Sequence, residues 1–182
     1  NNGNQVITLN DVAATTTSLV IEDATTGAQS AVLKTDTSSA AMTLTVGTAT
    51  AAAGTLTAVT MSDIEDMTIS SLGGANTIAT LTDNDMTSLT VNASSALTVT
   101  NAIAGSTSVA TLNASGSTAA TSISLANNTV ATVVTGGSAA DTITTGSGND
   151  TLTGNAGNDN FTAGLGNDTL SGGDGNDTLN AG

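Results

Sequence analysis

The chain of 182 residues contains no cysteine, histidine, proline, tryptophan or tyrosine, and it has a single phenylalanine. Without histidine and cysteine it lacks the commonest general base, the strongest nucleophile at neutral pH and the usual ligands of zinc. It also carries no Gly-x-Ser-x-Gly elbow and no phosphate-binding loop with its lysine. We therefore expect this segment not to be an enzyme, and it can form no disulfide bond.

Positive charge is almost absent. The sequence has 15 acidic residues against one basic residue, Lys34, which gives a formal net charge of −14 at pH 7. Nucleic-acid binding needs Lys and Arg to displace counterions from phosphates, so nucleic acid is excluded as a partner. The same deficit disfavours docking on an anionic membrane surface. No apolar run approaches the roughly 18 residues of a membrane-spanning helix, so we expect no membrane insertion.

Threonine, alanine, serine, glycine and asparagine dominate the sequence instead. A core built from Ala, Val, Leu, Ile and Thr methyl groups, without large aromatic side chains, cannot be thick. Such a composition suits a narrow, repetitive β-structure better than a compact α/β enzyme.

Five consecutive nonapeptides fill residues 136–180 without a gap, and each has an aspartate at its sixth position. In order they read GGSAADTIT, TGSGNDTLT, GNAGNDNFT, AGLGNDTLS and GGDGNDTLN. Glycine recurs at the first, second and fourth positions, where a positive φ or a close neighbouring chain excludes a β-carbon. Asparagine tolerates left-handed geometry and fills further turn positions, namely Asn149, Asn158, Asn167 and Asn176.

The last three residues of each nonapeptide are expected to form a short strand whose central residue points into the core. That residue is always apolar: Ile143, Leu152, Phe161, Leu170 and Leu179. The pattern is typical of a calcium-binding parallel β-roll with two nonapeptides per turn. The final Ala181-Gly182 resembles the start of a sixth repeat, so we expect the chain to be cut from something longer. Any secretion signal or anchor would then lie outside this segment.

In such a coil the turns on one side stack every second repeat, about 4.8 Å apart. Asp141 then lies near Asp159, Asp150 near Asp168, and Asp159 near Asp177. The segment has no Lys, Arg or His to neutralise these carboxylates, so a hard divalent cation is required. Calcium suits an all-oxygen cage of about six to eight ligands better than magnesium does, and the pairs predict about three internal sites. The candidate metal-site residues are the five aspartates Asp141, Asp150, Asp159, Asp168 and Asp177 with the turn residues Gly146, Gly148, Asn149, Gly154, Gly157, Asn158, Gly164, Gly166, Asn167, Gly172, Gly173 and Gly175.

A Gly/Asn/Asp-rich disordered linker is the alternative interpretation of this segment. A linker has no reason to keep period nine in glycine, aspartate and an aliphatic residue together, so we favour the calcium roll. The first repeat is degenerate, because Ala139 and Ala140 precede Asp141, and its site is the least secure. Asp174 occupies a variable turn position and is expected to be a solvated carboxylate rather than a ligand.

Residues 1–135 alternate short apolar-Thr segments with Gly/Ala/Ser/Asn breaks, and their period-2 alternation predicts strands. The candidate strands are 42–46, 56–61, 67–69, 77–81, 88–91, 96–100, 109–112, 122–125 and 130–134. An Ala-rich stretch at 49–53 could be helical, but Thr and Gly flank it closely. Residues 1–40 show the weakest strand pattern and could form a separate small β-element.

Looser internal repeats indicate a β-solenoid of about 20 residues per rung. Asp66-Met67-Thr68 recurs as Asp85-Met86-Thr87, and the segment 89–94 is echoed by 110–115. Val134 falls nine residues before Ile143, so the solenoid should run in phase into the roll of 136–182 as one stack.

A second acidic cluster lies in the solenoid and consists of Asp63, Glu65, Asp66, Asp83 and Asp85. The recurrence of Asp66-Met67-Thr68 at residues 85–87 would place Asp66 and Asp85 on adjacent rungs, where they could form a further calcium site. A solvated acidic edge that discourages edge-to-edge pairing is the interpretation we favour.

The nonapeptides resemble those of the RTX (repeats-in-toxin) group of secreted bacterial proteins, which implies calcium binding and type I secretion. The Thr/Ala/Ser/Asn-rich upstream part is similar in composition to RTX-type bacterial surface-layer (S-layer) proteins. That resemblance implies an extracellular location at the cell surface, calcium-bridged self-association into a lattice, and attachment through lipopolysaccharide or a cell-surface glycan. The alternatives are a stalk or binding segment of a large RTX adhesin, and the secretion and folding module of an RTX enzyme.

Overall fold

The computed structural model describes residues 5–12, 18–21, 29–35, 40–47, 53–62, 64–101, 103–105 and 107–182. In these ranges every helix or strand element is a strand, and every strand pair is parallel. The strands are β1 (Gln5–Val12), β2 (Ser18–Ile21), β3 (Gln29–Thr35), β4 (Ala40–Val46), β5 (Thr55–Ser62), β6 (Ile64–Ser71), β7 (Asn76–Ile78), β8 (Leu81–Asp83), β9 (Ser88–Ala93), β10 (Leu97–Val99), β11 (Ala104–Gly105), β12 (Thr111–Asn113), β13 (Thr121–Ser124), β14 (Val133–Thr135), β15 (Thr142–Thr144), β16 (Thr151–Thr153), β17 (Asn160–Thr162), β18 (Thr169–Ser171) and β19 (Thr178–Asn180). The predicted all-β fold is confirmed.

The strands form two sheets, and the chain alternates between them as it winds. The first sheet has the order β1-β3-β5-β7-β10-β13-β15-β17-β19, with the short strands β8 and β11 paired beside it. The second sheet has the order β18-β16-β14-β12-β9-β6-β4-β2. Each turn therefore adds one strand to each sheet, which is the predicted parallel β-solenoid.

The coil tightens toward its carboxyl end. Leu56 pairs with Ile78, in a stretch where partners lie 22 residues apart. Ile123 pairs with Ile143 at a separation of 20, and from Ile143 onward partners lie 18 residues apart. The roll thus has the two nonapeptides per turn that the sequence predicts, and the larger turns upstream accommodate longer loops.

The upstream register differs from the one predicted from short sequence echoes. Asp66 pairs with Ser88 rather than lying over Asp85, and Leu89 pairs with Leu112 rather than Ala110. The buried column Met67, Leu89 and Leu112 decides this register, because a shift by one residue would expose all three side chains. The echoes were misleading because the same few residue types recur by composition alone.

The core is a narrow column of aliphatic side chains between the two sheets. Ile123, Ile143 and Phe161 stack along the first sheet, while Val134 and Leu152 stack along the second, and all five are at most 2% exposed. The inward position of the nonapeptide is therefore confirmed in the first three repeats. Leu170 is only partly buried and Leu179 is exposed, because they lie on the last two strands.

The two sheets continue across residue 135. Strand β13 pairs with β15 and β14 pairs with β16, so Val134 stacks directly on Leu152. At the other end β1 pairs with β3 and β2 pairs with β4 in the same two sheets. Most of the Ala-rich stretch proposed as an alternative helix, namely residues 49–52 of 49–53, lies outside the described residues.

Candidate metal centre

The nonapeptide turns lie along the two sides of the coil, between the sheets. Turns 136–141, 154–159 and 172–177 lead into strands of the first sheet, and turns 145–150 and 163–168 lead into strands of the second. Each turn ends in its aspartate, immediately before the strand. Asp141, Asp159 and Asp177 therefore stack on one side, with Asp150 and Asp168 on the other, as predicted from the period.

One oxygen of each aspartate is held by the backbone of the preceding rung. The Asp141 N–H donates to Oδ1 of Asp159 at 2.8 Å, and the Asp159 N–H donates to Oδ1 of Asp177 at 2.9 Å. On the other side the Asp150 N–H donates to Oδ1 of Asp168 at 2.7 Å. Hydrogen bonds to an ionised acceptor are stronger than neutral ones, so this ladder fixes each carboxylate in one orientation.

The ladder begins on residues that the sequence analysis did not single out. The N–H of Thr121 donates to Oδ1 of Asp141 at 2.8 Å, and the N–H of Thr132 donates to Oδ1 of Asp150 at 2.7 Å. The carboxylates of the first two repeats are thus attached to the upstream solenoid. A signal was available for Thr132, which precedes Asp150 by the same 18 residues that separate the roll aspartates.

The second carboxylate oxygen is buried, and in three repeats it has no hydrogen-bond partner. These are the Oδ2 atoms of Asp150, Asp159 and Asp168. Only in the first repeat does a backbone group satisfy it, through the N–H of Gly137 at 2.6 Å from Oδ2 of Asp141. A buried, ionised oxygen without a donor is strongly unfavourable, so a bound cation would stabilise the ionised carboxylates at these positions.

Carbonyl oxygens of the next turn approach the same positions. A β-carbon added to Gly136 would lie 3.0 Å from Oδ2 of Asp141 and 2.5 Å from the carbonyl oxygen of Gly154. One turn later Oδ2 of Asp159 and the carbonyl oxygen of Gly172 crowd Gly154 in the same way. A carboxylate of one turn and a carbonyl of the following turn therefore face the same small space, and this all-oxygen donor set fits calcium.

The backbone of the turns packs too closely for side chains. Gly166 has φ +143° and Gly175 has φ +138°, and a β-carbon at either would meet the carbonyl oxygen of the glycine one rung earlier. Six further turn glycines proposed for the site pack against backbone atoms of neighbouring turns in the same manner: Gly146, Gly148, Gly154, Gly157, Gly164 and Gly173. Gly172 packs against the side chain of Asp177 in its own turn.

Side chains of the turn asparagines form hydrogen bonds between successive turns of the coil. The N–H of Asn167 donates to Oδ1 of Asn149 at 2.9 Å, and the N–H of Asn176 donates to Oδ1 of Asn158 at 2.8 Å. These side-chain oxygens are therefore engaged by backbone rather than directed at the carboxylates. All four have negative φ, and Asn155 is the non-glycine residue with positive φ in the described ranges.

Burial and mutual repulsion penalise the charged form of these carboxylates. Burial raises the pKa of Asp141, the hydrogen bonds from Gly137 and Thr121 oppose that rise, and the charge of Asp159 adds to it. Burial and the charge of Asp177 likewise raise the pKa of Asp159. A bound divalent cation would reverse this balance, because it stabilises the ionised form.

The second acidic cluster is not assembled into a comparable site. Asp66 and Asp85 are exposed, and the alternative in which they lie on adjacent rungs in register is not found, because Asp66 pairs with Ser88. Asp83 is buried and its Oδ1 accepts the N–H groups of Asp85 and Met86, while Asp63 lies outside the described residues. In the described part of the chain no three acidic side chains converge tightly enough to hold a metal by themselves, so turn carbonyls are needed in the roll as well. Asp174 is exposed, as expected.

Comparisons with known proteins agree with this geometry. A family model for the RTX calcium-binding nonapeptide repeat (4 copies) matches residues 135–170 and 153–182. Neither the comparison with curated proteins nor that with solved structures gave a match. Within the described residues no helix is long and apolar enough to cross a membrane. RTX repeats bind Ca²⁺ and are typical of secreted proteins. Residues 135–182 therefore carry RTX calcium-binding nonapeptide repeats, and these repeats form the β-roll at the carboxyl end of the solenoid.

Proposed function

We propose that this chain is a structural component of a calcium-dependent extracellular bacterial assembly, specifically a surface-layer lattice protein rather than an enzyme. Calcium would drive folding of the roll outside the cell, because extracellular modules typically bind calcium at about 10⁻⁴–10⁻³ M and the binding energy becomes folding energy. Export by type I secretion as an unfolded roll, and attachment through lipopolysaccharide or a cell-surface glycan outside this chain, belong to the same proposal.

The observation that carries the lattice role is an uncharged face on a strongly acidic protein. From β5 to β19 the outward rows of the first sheet contain no charged residue, although the net charge is −14. One continuous row on that face consists of Thr55, Thr77, Thr98, Ser122, Thr142, Asn160 and Thr178.

Most acidic side chains in this part lie in the turns along the two sides of the coil, where those of the roll would be neutralised by calcium. Copies of the protein repel one another through any other acidic surface. They can approach through the flat face of the first sheet, where hydroxyl and amide groups can pair between copies. The second sheet differs because its outward positions include Asp66.

Titration with calcium, followed by circular dichroism and light scattering in parallel, tests the proposal. A gain of β-signal together with ordered sheets under the electron microscope is the expected result. The same gain with monodisperse monomers would contradict the lattice role and favour the stalk of an RTX adhesin or the folding module of an RTX enzyme.

A matched pair of variants tests the contact face. Thr142 on the first sheet and Thr151 on the second occupy the same nonapeptide position, and both are exposed. Thr142→Glu is expected to block growth of particles while leaving the calcium-induced β-signal intact. Thr151→Glu is expected to assemble as the parent does, and equal effects of the two variants would contradict a contact through the first sheet.

A further inference from the structure

Two asparagines of the upstream solenoid are buried as deeply as the roll aspartates. Asn76 is 1% exposed and Asn128 is 2% exposed, and both lie beside turns of the coil. Buried polar side chains are costly unless they are fully hydrogen-bonded, so their partners show what they do.

Asn76 stands in the same stacked column as the aspartates that precede the first sheet. It pairs with Leu97, Leu97 pairs with Thr121, and the N–H of Thr121 donates to Asp141. Oδ1 of Asn76 accepts the N–H of Gly54, 22 residues earlier, at 3.0 Å. This is the hydrogen bond that each roll aspartate accepts from the rung before it, so Asn76 repeats that part of the aspartate's role.

The second polar atom of the Asn76 side chain is a hydrogen-bond donor, whereas that of an aspartate is an acceptor. Its Nδ2 donates to the carbonyl oxygens of Val46 and Leu72 at 3.1 and 3.0 Å, and to Oγ of Ser71 at 3.0 Å. In the roll the equivalent atom is Oδ2, which is buried beside carbonyl oxygens and requires a cation. The amide N–H groups of Asn76 therefore bind the oxygens that a metal ion would otherwise have to hold together.

On the other side of the coil Asn128 makes a similar set of hydrogen bonds, although it lies four residues before Thr132, which occupies the position of the aspartates there. Its Oδ1 accepts the N–H of Val109 at 2.9 Å, and its Nδ2 donates to the carbonyl oxygen of Val109 at 2.8 Å and to Oγ1 of Thr132 at 2.7 Å. A third contact reaches the carbonyl oxygen of Val130 at 3.1 Å. Gly146, in the next turn, packs directly over the Asn128 backbone, so Asn128 occupies the last turn before the calcium-binding ones.

We infer that Asn76 and Asn128 are metal-free counterparts of the roll's calcium sites. The upstream solenoid then folds without calcium, and calcium controls only the order of the roll that is stacked on it. The solenoid would present β13 and β14 as a preformed template, with the N–H groups of Thr121 and Thr132 ready for the first two aspartates. This inference does not depend on the lattice role.

Hydrogen–deuterium exchange of the whole chain, in EGTA and in calcium, tests whether the upstream solenoid folds without calcium while the roll requires it. Amides of β7, β9, β10, β12 and β13 are expected to be protected in both conditions, and amides of β15–β19 only in calcium. Loss of protection in the upstream strands together with the roll in EGTA would overturn the inference.

Asn76→Asp tests the equivalence of amide and metal directly, at pH 7.5 where a carboxylate is ionised. The variant keeps Oδ1 but replaces the donor with a charged oxygen among the same three acceptors. We expect loss of protection in β5 and β7 in EGTA and recovery of that protection in calcium. The exposed Asn92, changed to Asp as the control, is expected to behave as the parent. Full protection of Asn76→Asp in EGTA, or a failure of calcium to restore it, would overturn the equivalence.

Discussion

The roll aspartates accept a backbone hydrogen bond and supply negative charge for calcium, and mutation of Asp159 can separate these two roles. Its Oδ1 accepts the N–H of Asp141, whereas its Oδ2 is buried without a hydrogen-bond partner and faces the calcium position. Asp159→Asn keeps an oxygen for the first task and removes the charge needed for the second. Asp159→Ala removes both.

The expected magnitudes follow from these contacts. In Asp159→Ala the buried N–H of Asp141 loses its acceptor, which costs about 1–3 kcal/mol. Both variants lose a carboxylate that stands between two neighbouring calcium positions, toward Asp141 and toward Asp177. If one ion carries the linkage, the additional 1–3 kcal/mol raises the calcium midpoint of Asp159→Ala about 5–150-fold above that of Asp159→Asn.

Without calcium the sign of the charge effect reverses. Burial and the charge of Asp177 raise the pKa of Asp159, so the ionised carboxylate destabilises the calcium-free roll at neutral pH. Asp159→Asn removes that penalty while keeping the hydrogen bond to the Asp141 N–H. We therefore expect Asp159→Asn to leave the calcium-free roll at least as stable as the parent, and Asp159→Ala to lower its stability relative to Asp159→Asn.

Calcium titration monitored by circular dichroism measures the midpoints, and hydrogen exchange of β15 and β17 in EGTA measures the calcium-free stability. The matched control is Asp174→Ala in the exposed turn position of the fifth repeat, which is expected to be nearly silent. Equal midpoints for Asp159→Ala and Asp174→Ala would refute the stacking of the aspartates. Equal midpoints for Asp159→Asn and the parent would refute a role for the charge in calcium binding.

Three further predictions concern packing, backbone and pH. Phe161→Ala should lower the free energy of unfolding in calcium by about 3–5 kcal/mol, because the ring is fully buried. The control Leu165→Ala, at a position 73% exposed, should change that free energy by less than about 0.5 kcal/mol. Similar melting temperatures for the two variants would contradict the burial of Phe161 in the core. Gly166→Ala should abolish the calcium-induced β-signal, since it combines φ +143° with a clash against a neighbouring carbonyl; a normal titration would show that the turns are not tightly stacked. Because the pKa values of Asp141 and Asp159 are raised above 3.8 by burial, the folded roll binds protons more tightly than the unfolded chain does. In EGTA its stability should therefore rise as the pH falls through the raised pKa values and should be lost again as the pH rises. In calcium the midpoint should increase on acidification, and circular dichroism that shows no gain of β-signal in EGTA between pH 7 and pH 4 would contradict the first expectation.

The roll could be predicted almost entirely from its residues. Glycine, aspartate and one apolar residue repeat together every nine positions, so the turn, the carboxylate and the inward side chain are each specified within a single unit. The strand bounds Thr142–Thr144 and Thr151–Thr153 match the last three residues of their nonapeptides for that reason. The choice of calcium likewise required only the residue types, because an acidic segment without His, Cys or Lys leaves a hard cation and oxygen ligands.

The upstream register could not be predicted in the same way. Its rungs vary in length because loops and the extra strand β8 are inserted between the buried positions. Short segments of Thr, Ala and Ser recur by chance in such a composition. The register is decided instead by the stacking of Met67 on Leu89 across a whole turn of the coil. Stacking between residues so far apart in the chain has no local signature.

The sequence by itself determined the architecture of the roll and predicted the metal and its ligands, because glycine, aspartate and the inward apolar residue are repeated locally in every nonapeptide. Only the tertiary structure decided how Asp150, Asp159 and Asp168 divide their two oxygens: Oδ1 accepts a hydrogen bond from the backbone of the rung before it, and Oδ2 is buried without a partner. It also placed Asn76 in the aspartate column of the first sheet and Asn128 under Gly146 on the other side, where an amide supplies the donors that a carboxylate lacks. These assignments join atoms about 20 residues apart along the chain, and they exist only once the coil has closed.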